Sequence, residues 1–183
     1  LQNFIITVSN FLVSIPLEIY GFKLTWSAFS FPLVVLAIDL TIRVLGKSIA
    51  RATITLSYPL AIISSIIVLL IEGSTESVAF RIGFASATAY GVSTLLDVYL
   101  FQIIRERYNA WWIAPSISTI FANIIDTYVF FFSAFSNSSD QYMADNWLEI
   151  SATQSLIKII IGLLLFLPFY GVLLNFILKK FKK

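Results

Sequence analysis

The chain has 183 residues, of which 58% are hydrophobic and only 12% are charged, with a net charge of +2. Soluble domains carry about 25% charged residues, so this composition excludes an ordinary soluble domain and predicts an all-α, polytopic membrane protein. Solid apolar runs, rather than alternating ones, exclude a β-barrel. Cysteine and histidine are absent, which removes disulfides, thiolate metal sites and the usual general base. We therefore expect no enzyme, metal, cofactor or nucleic-acid partner.

The apolar runs predict six transmembrane helices in one domain covering residues 1–183, since about 20 apolar residues cross a bilayer. In chain order they lie at about Asn3–Ile15, Thr25–Ile42, Ala52–Ile71, Val78–Gln102, Trp112–Phe135 and Trp147–Leu178. The first is short and the chain opens without methionine, so we expect the native start to lie upstream. The last is longer than a bilayer needs, and we expect either a kink at Pro168 or an interfacial start at Trp147.

Basic residues predict the orientation, because cytoplasmic loops carry an excess of lysine and arginine. Nine of the twelve basic residues fall on one side of the six-helix arrangement: Arg43, Lys47, Arg51, Arg105, Arg107, Lys179, Lys180, Lys182 and Lys183. The turns on the other side are mainly acidic. The pattern places both termini in the cytoplasm and the chain in the bacterial inner membrane.

Ionisable residues inside these runs are the main functional signal, since a charge at the centre of a spanning helix costs at least ~2.5–3.5 kcal/mol. Helical spacing places Ser116, Thr119, Asn123 and Asp126 on one face of the fifth helix. The sixth helix brings Lys158, with Gln154 one turn earlier, to a similar depth, and we expect Asn10 there as well. These groups predict a binding site. The alternative is an Asp126–Lys158 ion pair that only joins two helices.

Three further charged positions lie closer to the helix ends. Asp97 follows Tyr90, Ser93 and Thr94 near the cytoplasmic end of the fourth helix. Asp39 precedes Arg43 by four residues, and the two form either an interfacial ion pair or a gate. Arg81, near the outer end of the fourth helix, either snorkels to the surface or contacts substrate at an outer gate.

Small residues recur every four positions at Gly83, Ala87 and Gly91. Such a face lets another helix approach closely. It serves either packing within the fold or a homodimer.

The chain resembles the bacterial queuosine-precursor transporters, the vitamin-uptake-transporter-like family. The resemblance rests on strings spread over nearly the whole chain: SNFLV (9–13), TWSAFSFP (25–32), DLTIR (39–43), WWIAPS with the following ST (111–119), NIIDTYVFFF (123–132), MADNW (143–147) and LPFYGVLLN (167–175). The family pattern has histidine at the position of Asn146, so no chemistry is assigned to Asn146.

The resemblance implies import of 7-cyano-7-deazaguanine, and of its aminomethyl relative, across the inner membrane. It suggests roles for the polar residues found above. Asp126, or secondly Asp97, would accept hydrogen bonds from the guanine-like edge, and Asn123 or Lys158 would donate to its carbonyl. The rings of Phe130, Trp26 or Phe29 would cover the faces of the base, because aromatic rings stack on bases.

Two other readings compete with a stand-alone carrier. A substrate-capture subunit of an energy-coupling-factor importer also has about six helices, but it docks its partner through small residues on the first helix, and Phe4–Ile15 offers no Ala-x-x-x-Ala pattern. A non-transporting scaffold predicts that the buried charges pair only with each other, with no solvent-accessible cavity. An intramembrane aspartyl protease is disfavoured, since no Gly-x-Gly-Asp string precedes either Asp97 or Asp126.

Overall fold

The computed structural model describes residues 31–181, together with residues 8, 12, 16–19 and 22–26. The predicted first helix falls largely outside these residues, and so do Asn10 and Phe29. A short antiparallel hairpin comes first, formed by β1 (Pro16–Ile19) and β2 (Phe22–Thr25). The predicted helix start at Thr25 is therefore wrong, because Thr25 pairs with Pro16 in this hairpin.

Long helices make up the rest of the described chain. They are α1 (Phe31–Leu45), α2 (Lys47–Ile71), α3 (Glu76–Arg107), α4 (Ile113–Phe135), α5 (Gln141–Ile161), a π-helical segment (Gly162–Phe166) and α6 (Leu167–Phe181). Four segments are long and apolar enough to cross a membrane: α2, α3, α4 and the continuous stretch Gln141–Phe176. The prediction of a mainly α-helical membrane protein is confirmed at this level.

Local chemistry explains where the helices begin and end. Pro32 is the second residue of α1, a position where its missing N–H has no partner to lose. Gly46 separates α1 from α2 with a φ of 90°, in the left-handed region that favours glycine. Asp140 caps α5 by accepting a hydrogen bond from the Met143 backbone N–H at 3.1 Å. Because of this cap, α5 begins six residues before the predicted start at Trp147.

Two helices differ from the sequence prediction, one in its length and one in its regularity. Helix α3 has 32 residues, which is about 48 Å and longer than the roughly 30 Å hydrocarbon core. It continues to Arg107 instead of ending at Gln102. The irregularity expected at Pro168 lies one turn earlier, in the π-helical segment. Pro168 has no backbone N–H to donate to the carbonyl four residues earlier, and that carbonyl lies within the π-helical segment. One hydrogen bond of the regular α-helical pattern is therefore missing there.

Helix α3 lies at the centre of the bundle, between α2 and α4. Its small residues allow this, because an added Cβ at Gly83 would lie 2.6 Å from Ile66 Cγ1, and one at Gly91 would lie 3.0 Å from the Tyr58 ring. The stripe of small residues therefore packs on α2 within the chain. These contacts support the packing alternative for Gly83 and Gly91, and the homodimer through Gly83, Ala87 and Gly91 stays a prediction.

Candidate functional site

A buried ion pair joins α4 to α5. The Lys158 ammonium donates to Asp126 Oδ2 at 3.1 Å and to Thr127 Oγ1 at 3.2 Å. The Ser93 hydroxyl of α3 donates to the other oxygen, Asp126 Oδ1, at 3.5 Å. Asp126 and Lys158 are only 7% and 5% exposed. The two side chains come into contact because Asp126 lies near the midpoint of α4 and Lys158 lies on the buried face of α5.

Amide side chains extend the ion pair along the same two helices. Asn123, one turn before Asp126, donates to the Thr119 carbonyl at 2.8 Å. Its Oδ1 is fully buried and has no hydrogen-bond donor among the described residues. Gln154 is buried one turn before Lys158, on the same face of α5. The two helices thus place acceptors and donors side by side between them.

A small cavity borders this cluster at Thr119. A cavity of about 10 Å³ is lined by Asp39, Pro115, Thr119, Gly162, Phe166, Leu167 and Tyr170. That volume is near the minimum for one water molecule, whereas pockets for organic ligands measure roughly 300–1,000 Å³. This cavity therefore has no room for an organic ligand.

A second acidic centre lies one turn along α3 from Ser93. The carboxyl groups of Asp39 and Asp97 face each other, and Ser118 of α4 lies beside Asp97. Asp39 and Asp97 are 1% and 0% exposed. Apart from the nearby Ser118 hydroxyl, no donor among the described residues lies within hydrogen-bond distance of the Asp97 oxygens or of Asp39 Oδ1. Asp97 therefore belongs with Asp39 and not with Asp126.

Basic side chains lie above the second centre, towards the end of the bundle. Arg43 is one helical turn from Asp39, interacts with it electrostatically, and donates to the Trp111 carbonyl at 3.5 Å. An open groove of about 530 Å³ continues outward from this point. It is lined by Ile42, Arg43, Gly46, Lys47, Gln102, Arg105 and Glu106. The α1–α2 turn and the end of α3 thus share one end of the bundle.

Arg81 lies at the opposite end of α3 and binds the end of α4. Its guanidinium donates to the carbonyls of Ser133 at 3.4 Å, Asn137 at 3.3 Å and Ser136. These are carbonyls at and just beyond the last turn of a helix, which otherwise lack partners. The geometry is that of a clamp between two helices.

The candidate stacking rings fall in different places. Phe130 packs edge-on against Phe131, with ring centroids 5.2 Å apart, inside the core between α3, α4 and α5. Trp26 follows β2 and is 45% exposed. Phe29 lies outside the described residues. The described residues thus bring Asp126, Asn123, Lys158 and Gln154 together, and leave these rings outside that cluster.

Sequence reasoning missed three residues of these centres. Thr127 follows Asp126 directly, and its hydroxyl oxygen accepts a hydrogen bond from Lys158. Ser118 is one turn from Pro115 and could have been found by following the α4 face one turn further. Tyr170 is buried at 1% exposure and lines the cavity with Asp39, but a tyrosine in an apolar run gives no signal of its own.

A bundle of long apolar helices that encloses ionic and amide groups is typical of membrane transport proteins. Comparison with known proteins agrees with this class. Residues 25–173 match the family described as "Putative vitamin uptake transporter". The chain belongs to this family and is a multi-pass protein of the bacterial inner membrane.

Individual relatives cover nearly the whole chain. The chain is 43% identical to the queuosine precursor transporter of Escherichia coli (strain K12), over 96% of this chain and 84% of the relative. It is 40% identical to the "Probable queuosine precursor transporter" of Haemophilus influenzae (strain ATCC 51907 / DSM 11121 / KW20 / Rd), over 97% and 85%. A Bacillus subtilis (strain 168) relative with the same printed name is 25% identical, over 88% and 77%. No solved structure matches the chain significantly. The family resemblance seen in the sequence is confirmed.

Proposed function

We propose that this chain imports queuosine precursors, with 7-cyano-7-deazaguanine as a substrate and its aminomethyl relative as a second. The observation that carries the proposal is the 43% identity to the Escherichia coli queuosine precursor transporter over 96% of the chain. Relatives of this kind are named as transporters, which favours transport over an enzyme or a scaffold.

The buried cluster between α4 and α5 is the proposed substrate site. A guanine-like edge presents an N1–H and an exocyclic amine, which suit the carboxylate of Asp126. Its carbonyl oxygen needs a donor, which Lys158 or the Asn123 amide supplies. The unpartnered Oδ1 of Asn123 is an acceptor and supports a further contact, with an N–H of the base, because buried polar atoms without partners are costly unless they serve a ligand. Gln154 adds a further amide on the other side of the ion pair from Asn123, since Gly162, one turn after Lys158, is the residue that lies against Thr119 and Asn123.

Binding then requires the ion pair to open. Asp126 is held by Lys158 at 3.1 Å, and the adjoining cavity is too small for a bicyclic base. The base takes over hydrogen bonds that the two side chains now make to each other. In such a cycle, one group of helices rocks against the other around a fixed site. The π-helical segment Gly162–Phe166 lies beside the cavity, where an irregular helix can bend.

The proposed topology has six spans with both termini in the cytoplasm. The proposal is supported by the groove at one end of the bundle, which is lined by Arg43, Lys47 and Arg105 among others. Cytoplasmic loops carry an excess of such basic residues. Because the chain has no cysteine, single-cysteine variants test this cleanly. Glu106→Cys should react with an impermeant thiol reagent only in inverted vesicles, and Ser138→Cys only in intact cells. The opposite pattern would reverse the topology.

Uptake of labelled 7-cyano-7-deazaguanine tests the function in cells unable to make the base. Asn123→Ala should lower uptake roughly 5- to 150-fold at equal membrane levels, because losing one buried hydrogen-bond partner costs about 1–3 kcal/mol. Asn146→Ala is a matched control, since Asn146 makes the same bond to the carbonyl four residues back, at 2.8 Å, in a more exposed place. Equal uptake by both variants would place the site elsewhere.

Proteoliposomes holding only the purified chain separate a carrier from a substrate-capture subunit. A carrier admits the labelled base without any partner. A capture subunit binds the base, and the vesicles stay empty until an energising partner is added. Binding without entry would therefore replace the proposal with the energy-coupling-factor reading.

A further inference from the structure

Two buried acids on neighbouring helices remain outside the proposed substrate site. Asp39 of α1 and Asp97 of α3 face each other, and within the part of the chain that the structure describes no hydrogen bond joins them to Asp126 or Lys158. They lie about 6 Å from the level of Ser93 along α3, since Asp97 is four residues further on. A structural role explains them poorly, because two adjacent carboxylates repel each other in apolar surroundings.

The charges around the pair do not balance when both acids are ionised. Arg43 of α1 is the nearby basic group that interacts with Asp39, and Arg105 at the end of α3 interacts with Arg43 and Tyr170 at the more exposed groove. From α4 the pair faces the Ser118 hydroxyl, and from α6 the neighbouring group is the Tyr170 hydroxyl. The partly exposed Arg43 guanidinium therefore offsets at most one of the two carboxylate charges. A single proton shared by the two acids neutralises the rest.

Geometry also gives the pair access. Asp39 and Tyr170 line the cavity that has room for about one water molecule, and the buried Tyr170 hydroxyl lies beside the Arg43 guanidinium. On one side, Arg43 connects the pair to the open basic groove. On the other side, Thr119 borders the cavity and accepts the Asn123 hydrogen bond that leads towards Asp126.

We propose that Asp39 and Asp97 form a proton-binding site that couples base import to the inward movement of a proton. The inference rests on the proposed function and adds its driving ion. The fixed positive charge of Arg43 one turn away disfavours a metal cation at the same place. The site lies between the substrate cluster and the basic groove, so a proton bound there can respond to the closing of the substrate site.

Proteoliposomes with the purified chain test the coupling. With one proton carried per base, a gradient of one pH unit, acidic outside, should accumulate labelled 7-cyano-7-deazaguanine about tenfold, because one pH unit and a tenfold concentration ratio are both worth about 1.4 kcal/mol. Asp97→Asn and Asp39→Asn should lose this accumulation and keep exchange of internal for external base. Asp145→Asn, an acid in an exposed position near the start of α5, should behave as wild type.

The other possible outcomes separate a failure of the proton coupling from a failure of the proposed function. Wild-type chain that only equilibrates the base, whatever the pH gradient, or that follows a sodium gradient, overturns the coupling and leaves the function standing. Accumulation that survives in both asparagine variants places the proton elsewhere. Wild-type vesicles that admit no base overturn the function and the coupling together. Where the asparagine variants do not fold, Asp97→Ser and Asp39→Ser replace them, since they also remove the carboxyl group, and accumulation that survives in both would overturn the assignment.

Discussion

Removing Lys158 tests whether the ion pair between α4 and α5 is as buried as the structure shows. Lys158→Met keeps the length of the side chain and removes its charge. Of the partners that the described residues supply, Asp126 would then keep the Ser93 hydroxyl at 3.5 Å, in a place where Asp126 is 7% exposed. Breaking a buried pair by removing one partner costs about 3–5 kcal/mol. For a chain of this size, that lowers the thermal unfolding midpoint by roughly 6–20 °C.

The double variant Asp126→Leu/Lys158→Met separates a structural role from a binding role. Replacing both charges by apolar groups is often neutral or stabilising, so we expect the double variant to recover most of the lost stability. We also expect it to take up no labelled base, since the carboxylate that reads the base is gone. Thermal unfolding in detergent and uptake in cells measure the two properties separately.

Lys179→Met is the control, because Lys179 lies exposed near the end of α6. Its unfolding midpoint should equal that of wild type. A Lys158→Met chain as stable as the control would refute the burial of the pair. A double variant that is both stable and active in uptake would show that the pair only joins two helices.

Two further predictions concern packing and the outer end of the bundle. Gly83→Val should destabilise the chain by about 1–3 kcal/mol through overpacking against α2, whereas Phe84→Leu, on the exposed side, should change the unfolding midpoint little; equal midpoints would contradict the α2–α3 contact. Arg81→Gln should lower stability by about 0.5–2 kcal/mol, the range for lost helix-cap bonds, with uptake retained. Abolished uptake at unchanged stability would instead make Arg81 a substrate contact.

Helical periodicity explains why part of the site could be predicted from the sequence. Asn123 and Asp126 lie three residues apart, and Gln154 and Lys158 four apart, so each pair shares a helix face. The antiparallel arrangement of two successive spans then brings the pairs to one depth. The observed ion pair follows from these two facts, because an isolated charge within a membrane seeks a partner.

Contacts between helices that are distant in the chain could not be predicted in this way. Asp97 was grouped with Asp126 as an alternative base-binding acid, yet it meets Asp39 of α1. Periodicity gives the face of each helix and not its lateral neighbour, so the Asp39–Asp97 contact and the place of Tyr170 depend on how the bundle packs. The hairpin before α1 could not be predicted either, because apolar runs alone end one span at Ile15 and begin the next at Thr25, whereas Thr25 pairs with Pro16.

A structure of the full chain with 7-cyano-7-deazaguanine bound tests the central claim most directly. We expect density for a planar base between α4 and α5, with Asp126 within hydrogen-bond distance of its N1–H edge and Lys158 moved away from the 3.1 Å contact. Density for the base elsewhere, with the Asp126–Lys158 pair still closed, would contradict the claim that these side chains hold the transported base.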